Sequence, residues 1–275
     1  MKRVGIALSG GGIRGIAHIG ILKVLCEEEI PIECISGTSM GGMIGALYAR
    51  DRSINEIEAA ALRLAKPREL FKLLSPTSPR RGLLDEAHVR AYLSPFFAQT
   101  PTFAELSLPL GLLAVDLIHP QEVYLKEGNL LDSVMATCAV PGVFKPVEMG
   151  PWRLVDGGIM NNLPVCMLPE MGAEVTFAVD VQIDPFVTLP WQDLSVRPHL
   201  AFPIPDSFLD FYRSELIMVN QLMHIRMAEN PPDILIRPEI PMEITMFTGY
   251  QKMAGIIAAG EKAAREALPD IRKYL

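Results

Sequence analysis

The stretch Ile35 to Gly42, Ile-Ser-Gly-Thr-Ser-Met-Gly-Gly, limits the possible folds more than any other part of the chain. It contains Gly37-Thr38-Ser39-Met40-Gly41, a Gly-x-Ser-x-Gly run. A short apolar segment, Ile32 to Ser36, leads in, and a small-residue helical pattern, Met43 to Ala49, leads out. That order reads as strand, sharp turn and helix. A turn of this kind strains the serine backbone and needs neighbours without bulky side chains, hence Gly37 and Gly41. It also sets the Ser39 hydroxyl at a helix N-terminus, where free N–H groups and the helix dipole favour negative charge. On the pentapeptide alone, a nucleophile and an ordinary capped loop are both open.

The preceding segment has the same grammar. Val4 to Leu8 is a short apolar run, followed by Ser9-Gly10-Gly11-Gly12-Ile13-Arg14-Gly15 and by apolar residues at helical spacing from Ile16 to Glu29. A β-α-β-α opening implies an α/β fold, with a mostly parallel sheet and crossover helices. Further along, helices are expected over 55–64 (with Ser53 and Glu56 as a capping box), 85–97, 129–137, 164–171 and 206–229. Strands are expected over 110–116, 122–126, 153–155, 175–181 and 234–237. The tail reads as a helix over 249–267 and a short one over 269–275. The proline-bearing stretch 184–205 has no clear period and suggests a covering loop or lid.

The chain has 275 residues, enough for one large domain, and no composition break divides it. One domain over 1–275 is therefore expected, with a motif-bearing core at about 4–181 and a helical C-terminal part at about 206–275. A net charge of −7 argues against a nucleic-acid partner. The four cysteines, Cys26, Cys34, Cys138 and Cys166, form no C-x-x-C pair and lie in apolar contexts, so buried free thiols are expected. Five apolar residues before Ser9 are too few for a signal-peptide core, and no 18-residue apolar run occurs. The expected location is the cytoplasm, with peripheral membrane contact. The oligomeric state is not legible.

Gly10, Gly12 and Gly15 match the dinucleotide pattern G-x-G-x-x-G, which is weak by itself. The acidic residue that pattern wants at the end of the second strand is absent, since that end is Ser36-Gly37-Thr38-Ser39. A phosphate loop would need Gly-Lys-Ser/Thr, also absent. Successive glycines beside a nucleophile turn fit an oxyanion hole instead, where one donor contributes roughly 2.7–4 kcal/mol. Arg14, the charged residue of the loop, either ties down backbone carbonyls, adds positive potential, or is solvated.

A serine nucleophile needs a base. None of the five histidines, His18, His88, His119, His199 and His224, has a motif around it. Asp156 ends a short strand and precedes Gly157-Gly158, which leaves its carboxylate open to approach. An Asp-Gly turn without chemistry has the same local pattern.

Taken together, Gly10-Gly11-Gly12-Ile13-Arg14-Gly15, Gly37-Thr38-Ser39-Met40-Gly41 and Asp156-Gly157-Gly158 resemble the patatin-like phospholipase family. The resemblance covers about residues 4–181, and the chain looks like a small bacterial-type member. Ala139 to Pro146 is similar to a further family block that lines the site. The resemblance implies a three-layer α/β/α fold and hydrolysis of carboxylic esters of lipids by a Ser–Asp dyad without histidine, metal or cofactor. Ser39 would be the nucleophile, Asp156 the base, and Gly10, Gly11 and Gly12 the oxyanion donors, with Arg14 in support. Ser9 departs from the family, where many members carry an acid. The implied partner is a lipid or acyl-ester substrate, with transient membrane-surface contact.

Two other readings stand beside this one. One is an α/β-hydrolase esterase with a triad of Ser39, Asp156 and His199 or His224. The other is a non-catalytic lipid-binding regulatory protein. For an acyl channel, Met218, Met223, Met227, Met242, Met246 and Phe247 are candidates, against ordinary core packing. Arg80-Arg81 could meet an anionic headgroup, against a solvated loop.

Overall fold

The computed structural model describes residues 2–51, 53–66, 68–69, 86–187, 206–245 and 248–275, and for 206–209 the backbone alone. Among the described residues, eight strands form one sheet: β1 (Val4–Leu8), β2 (Ile32–Thr38), β3 (Leu110–Asp116), β4 (Gln121–Leu125), β5 (Val147–Met149), β6 (Trp152–Asp156), β7 (Val175–Val179) and β8 (Ile234–Ile236). Their order is β5-β6-β3-β2-β1-β7-β8, with β4 also paired to β3. The central strands β3, β2, β1, β7 and β8 run parallel, whereas β4, β5 and β6 join antiparallel at one end. Every residue of β1, β3 and β7 is buried, as expected for parallel strands covered on both faces.

The period of two separates the two faces. Val4, Ile6 and Leu8 of β1 join the main core with Ile35, Val175, Phe177 and Val179. That core is covered by α1 (Ala17–Glu27), α2 (Ser39–Asp51), α3 (Ile54–Leu64), α4 (Glu86–Phe97), α5 (Leu130–Thr137) and α8 (Met253–Tyr274). On the opposite face, Ala7, Cys34 and Ala178 form a smaller core with Leu168 of α6 (Met167–Glu170) and Met223 of α7 (Asp206–Glu229). The expected three layers are present. Helices α1 and α8 approach until their backbones touch. A Cβ on Gly20 would stand 2.0 Å from the Ile257 carbonyl oxygen, and one on Gly260 2.0 Å from that of Ala17. Only glycine fits these crossing points.

Several local expectations change. Ser53 precedes α3 without a side-chain cap, and the reciprocal half of the box is lost too: the Ser53 N–H donates to Asp51 Oδ1 at 2.9 Å, while Glu56 pairs with Arg50. Pro269 does not end the last helix. Leu268 and Ile271 continue the buried face, and Arg265 and Arg272 hold Glu27 and Glu28, so packing outweighs the lost hydrogen bond. The short strand β5 carries no alternating pattern long enough to be read, and the 164–171 helix shrinks to α6. All four thiols are free as expected, but of the four Cys34 alone is buried; Cys138 and Cys166 are half-buried and Cys26 is exposed. Arg80, Arg81, His199, Met246, Phe247 and most of the 184–205 stretch lie outside the described residues. Among the described residues, no helix is long and apolar enough to cross a membrane.

Candidate active site

The sheet register brings the serine turn and the strand-end aspartate together. β2 pairs with the first half of β3, ending at Thr38 opposite Leu113. β6 pairs with the second half, ending at Asp156 opposite Ala114. β4 occupies the other edge of β3, since it pairs with both halves. β2 and β6 therefore lie along one edge of β3 and run toward each other, and their C-terminal ends meet at consecutive residues of that strand. Consecutive strand residues are about 3.3 Å apart. Ser39, one residue past Thr38, thus faces Asp156 across the junction.

Ser39 has φ 54°, a left-handed backbone that an L-residue other than glycine adopts only under constraint. The constraint is visible. Its N–H donates to the Thr137 hydroxyl at 3.0 Å, and that hydroxyl donates to the Leu113 carbonyl at 2.6 Å. Gly41, in the first turn of α2, packs against β1. A Cβ there would stand 2.3 Å from the Leu8 carbonyl oxygen. The turn is clamped from α5 on one side and β1 on the other. Thr137 carries no sequence signal for this role, because the contact depends on how α5 docks.

The Asp156 side chain is buried. Its Oδ1 accepts from the Gly158 N–H at 2.8 Å, whereas Oδ2 has no partner that closes as a hydrogen bond. Burial raises its pKa from 3.8 to about 6, and the Ser39 hydroxyl and the Gly158 N–H each oppose the rise. The hydroxyl thus acts on this carboxyl without a fully formed bond, a spacing common in active sites without substrate.

The glycine loop divides its donors. Gly10 donates its N–H to the Asn162 carbonyl at 3.1 Å, so that group is already engaged, contrary to its expected place among the oxyanion donors. The N–H groups of Gly11 and Gly12 have no partner among the described residues. Arg14 is buried rather than solvated. Its guanidinium donates to the carbonyls of Val181 (2.7 Å), Ile244 (3.0 Å) and Pro241 (3.2 Å), tying the loop to the segments after β7 and β8. Burial lowers its pKa to about 10, so it remains a cation. Of the readings open for Arg14, the carbonyl anchor is the one observed. The Ser9 hydroxyl accepts from the Val181 N–H at 3.0 Å and is likewise structural.

Two buried asparagines, missed in the sequence, bind the parts together. The Asn161 carbonyl accepts from the Thr38 hydroxyl at 3.1 Å, and Asn162 holds Gly10. They lie three and four residues after Gly158 of the Asp156-Gly157-Gly158 motif, and that adjacency was the available signal.

Two cavities meet at Ser39. The larger, about 200 Å³, is apolar, bordered by Gly12 and walled chiefly by α2, α3 and α4, with Val140, Val143 and Phe144 of the 139–146 block. The smaller, about 30 Å³, has a mixed wall: Gly11, Asp156, Asn162, Gln182 and Glu215 border it together with the apolar Ile159, Leu216 and Val219. Among the described residues, the methionines expected to form an acyl channel line neither. Met223 is in the second core with Met227 against it, Met218 is exposed, and Met242 is half-buried. Glu215 of α7 was also missed. It lies at helical spacing between buried Tyr212 and Val219, and an acid on that apolar face was the signal.

No histidine joins the site among the described residues. His18 is buried with Nε2 2.8 Å from the Ser9 carbonyl, and burial lowers its pKa to about 4, so it stays neutral. His88 is exposed, His119 contacts Asp116, and His224 faces Asp184 at 3.7 Å. No group of three or more metal-ligating side chains occurs among the described residues.

The family model described as patatin-like phospholipase matches residues 6–168. An uncharacterized NTE family protein of Mycobacterium tuberculosis is 32% identical over 208 residues, which are 71% of this chain and 56% of that protein. Lysophospholipase NTE1 of Coccidioides immitis is 29% identical over 297 residues, 98% of this chain and 18% of the fungal protein. The chain thus spans about half of the mycobacterial relative and less than a fifth of the fungal one. Among solved structures, VipD from Legionella pneumophila has the same fold, with a TM-score of 0.54 at 12% identity, covering 98% of this chain and 67% of that one.

Proposed function

This chain belongs to the patatin-like phospholipase family, and we propose that it is a serine hydrolase of carboxylic esters of lipids, working through Ser39 and Asp156. The observation that carries the reading is the meeting of β2 and β6 on one edge of β3. It sets a strained serine beside a buried carboxylate whose Oδ2 has no closed partner.

The chemistry follows from the geometry. An aspartate with a pKa near its usual value is a poor base for an alcohol. Held up to about 6, Asp156 is ionised at neutral pH yet nearer the basicity that proton transfer needs. Ser39 Oγ attacks the ester carbonyl as its proton moves to Asp156 Oδ2. The charge on the carbonyl oxygen is taken by the free N–H groups of Gly11 and Gly12, aided by the N-terminus of α2. Asp156 then returns the proton to the leaving alcohol. The second half-reaction repeats the cycle with water and releases the fatty acid.

The apolar cavity supports a lipid acyl group, since it begins at Ser39 and Gly12 and is walled by residues such as Met43, Leu47, Ile57 and Phe96. The curated relative named as a lysophospholipase supports the same substrate class. The reading includes transient contact with a membrane surface, no metal and no cofactor. One domain over 1–275 and a cytoplasmic location are parts of the same proposal. The test is hydrolysis of short and long acyl esters and of phospholipids by wild type and Ser39→Ala, with fluorophosphonate labelling of Ser39. Equal hydrolysis by both proteins, or no labelling at Ser39, refutes it.

A further inference from the structure

The smaller cavity beside Ser39 has a second carboxyl on its wall that the two-residue mechanism leaves unused. Glu215 borders it together with Ser39, Asp156, Gly11 and Gln182. No cation pairs with Glu215 among the described residues. A half-buried carboxyl without a cation is costly, and such groups gather at functional sites. Burial first, and the nearby Asp156 charge second, raise its pKa to about 7.

We infer that Glu215 positions the water that hydrolyses the acyl-enzyme. The inference rests on the hydrolase reading above. It stands on three independent features. First, the cavity measures about 30 Å³, roughly the space of one or two water molecules. Second, a buried water needs two to four polar partners, and this wall offers the Asp156 and Glu215 carboxyls and the Ser39 hydroxyl. The Asp156 Oδ2 atom is buried and lacks a closed partner. Third, the smaller cavity and the larger apolar one share Ser39 and Val140 on their walls. An acyl chain in the apolar cavity leaves the smaller one unfilled, with Ser39 on the wall of both.

The division of labour follows from counting acceptors. Oδ1 of Asp156 is engaged by Gly158, so Oδ2 takes the proton in both half-reactions. Water carries two hydrogens. One goes to Asp156 Oδ2 as the water oxygen bonds to the acyl carbon. The other stays on that oxygen and is held by the Glu215 carboxylate, which aims the lone pair at the carbonyl. The tetrahedral intermediate collapses by breaking the bond to Ser39 Oγ, and Asp156 returns its proton to that oxygen. The fatty acid leaves with the hydrogen Glu215 had held. Glu215 is thus a positioning residue for deacylation and has no part in acylation.

Pre-steady-state hydrolysis of a p-nitrophenyl ester by wild type, Glu215→Gln and Glu215→Leu tests this. The expected result for Glu215→Leu is a normal burst of nitrophenol and a steady-state rate lower by about 10–100-fold. Intact-mass spectra should then show acyl groups on Ser39. Glu215→Gln, which keeps an acceptor oxygen, should recover part of the loss. Steady-state rates equal to wild type, or burst and steady state falling together without acyl-enzyme, overturn the inference. Fluorophosphonate labelling separates the two levels. If wild-type Ser39 labels and the variants behave in either of those ways, the role of Glu215 alone fails. If wild-type Ser39 does not label, the hydrolase reading fails and this one with it.

Discussion

Asp156→Asn should make the protein more stable while disabling it. The carboxyl titrates at about 6 in the folded chain against 3.8 ordinarily, chiefly because it is buried. At about 1.4 kcal/mol per pH unit, that displacement costs the folded state about 3 kcal/mol once the group is ionised in both states. The sign follows from proton counting. Between pH 4 and 6 the folded chain holds a proton that the unfolded chain has lost, so stability falls as pH rises through that window. Below it both states are protonated and the cost vanishes. Asparagine has nearly the same shape, and its oxygen can still accept from the Gly158 N–H. At pH 8 the variant should therefore gain up to about 3 kcal/mol, roughly 5–10 °C in Tm. The gain should shrink toward zero near pH 4. Urea unfolding of both proteins from pH 4 to 8 measures the difference and cancels carboxyls that titrate alike in both. Ester hydrolysis should fall about 10²–10⁴-fold in the same variant. A variant no more stable than wild type at pH 8, or a gap that does not change with pH, refutes the argument that burial sets the basicity of this group.

Three further outcomes are expected. The kcat/KM for a soluble ester should rise with pH through a midpoint near 6, because Asp156 must be ionised to accept the serine proton; a flat profile from pH 5 to 8 contradicts this. Ala61→Phe, which fills the apolar cavity from α3, should lower turnover of long-chain esters at least about tenfold while sparing acetyl esters, as a chain-length series of p-nitrophenyl esters would reveal. Gly260→Ala puts a methyl 2.0 Å from the Ala17 carbonyl oxygen and should destabilise the fold by about 1–3 kcal/mol or more, seen as a lower midpoint in thermal unfolding.

Local chemistry was legible along the chain. The strand-turn-helix at Ser39, the glycine loop before it and the mostly parallel sheet all rest on neighbouring residues and on hydrophobic period, and the observed elements follow them closely. Where the reading erred locally, a long-range contact had intervened. Glu56 pairs with Arg50 instead of completing a cap, and packing against α1 keeps α8 helical through Pro269. Asp156 could be singled out by its glycines, but its distance from Ser39 could not.

What the tertiary structure alone decided is the site as a space. An antiparallel β6 shares an edge of β3 with a parallel β2, and no local pattern encodes which edge a strand takes. That choice brings residues 39 and 156 face to face. The docking of α5 and α7 then supplies Thr137 to clamp the serine turn and Glu215 to border the smaller cavity beside it. It also puts the apolar cavity among α2, α3 and α4 rather than beside the methionines of α7. The reason is physical. Backbone preference and hydrophobic period act over a few residues and are written in them, whereas strand order and helix docking minimise exposed apolar surface over the whole chain.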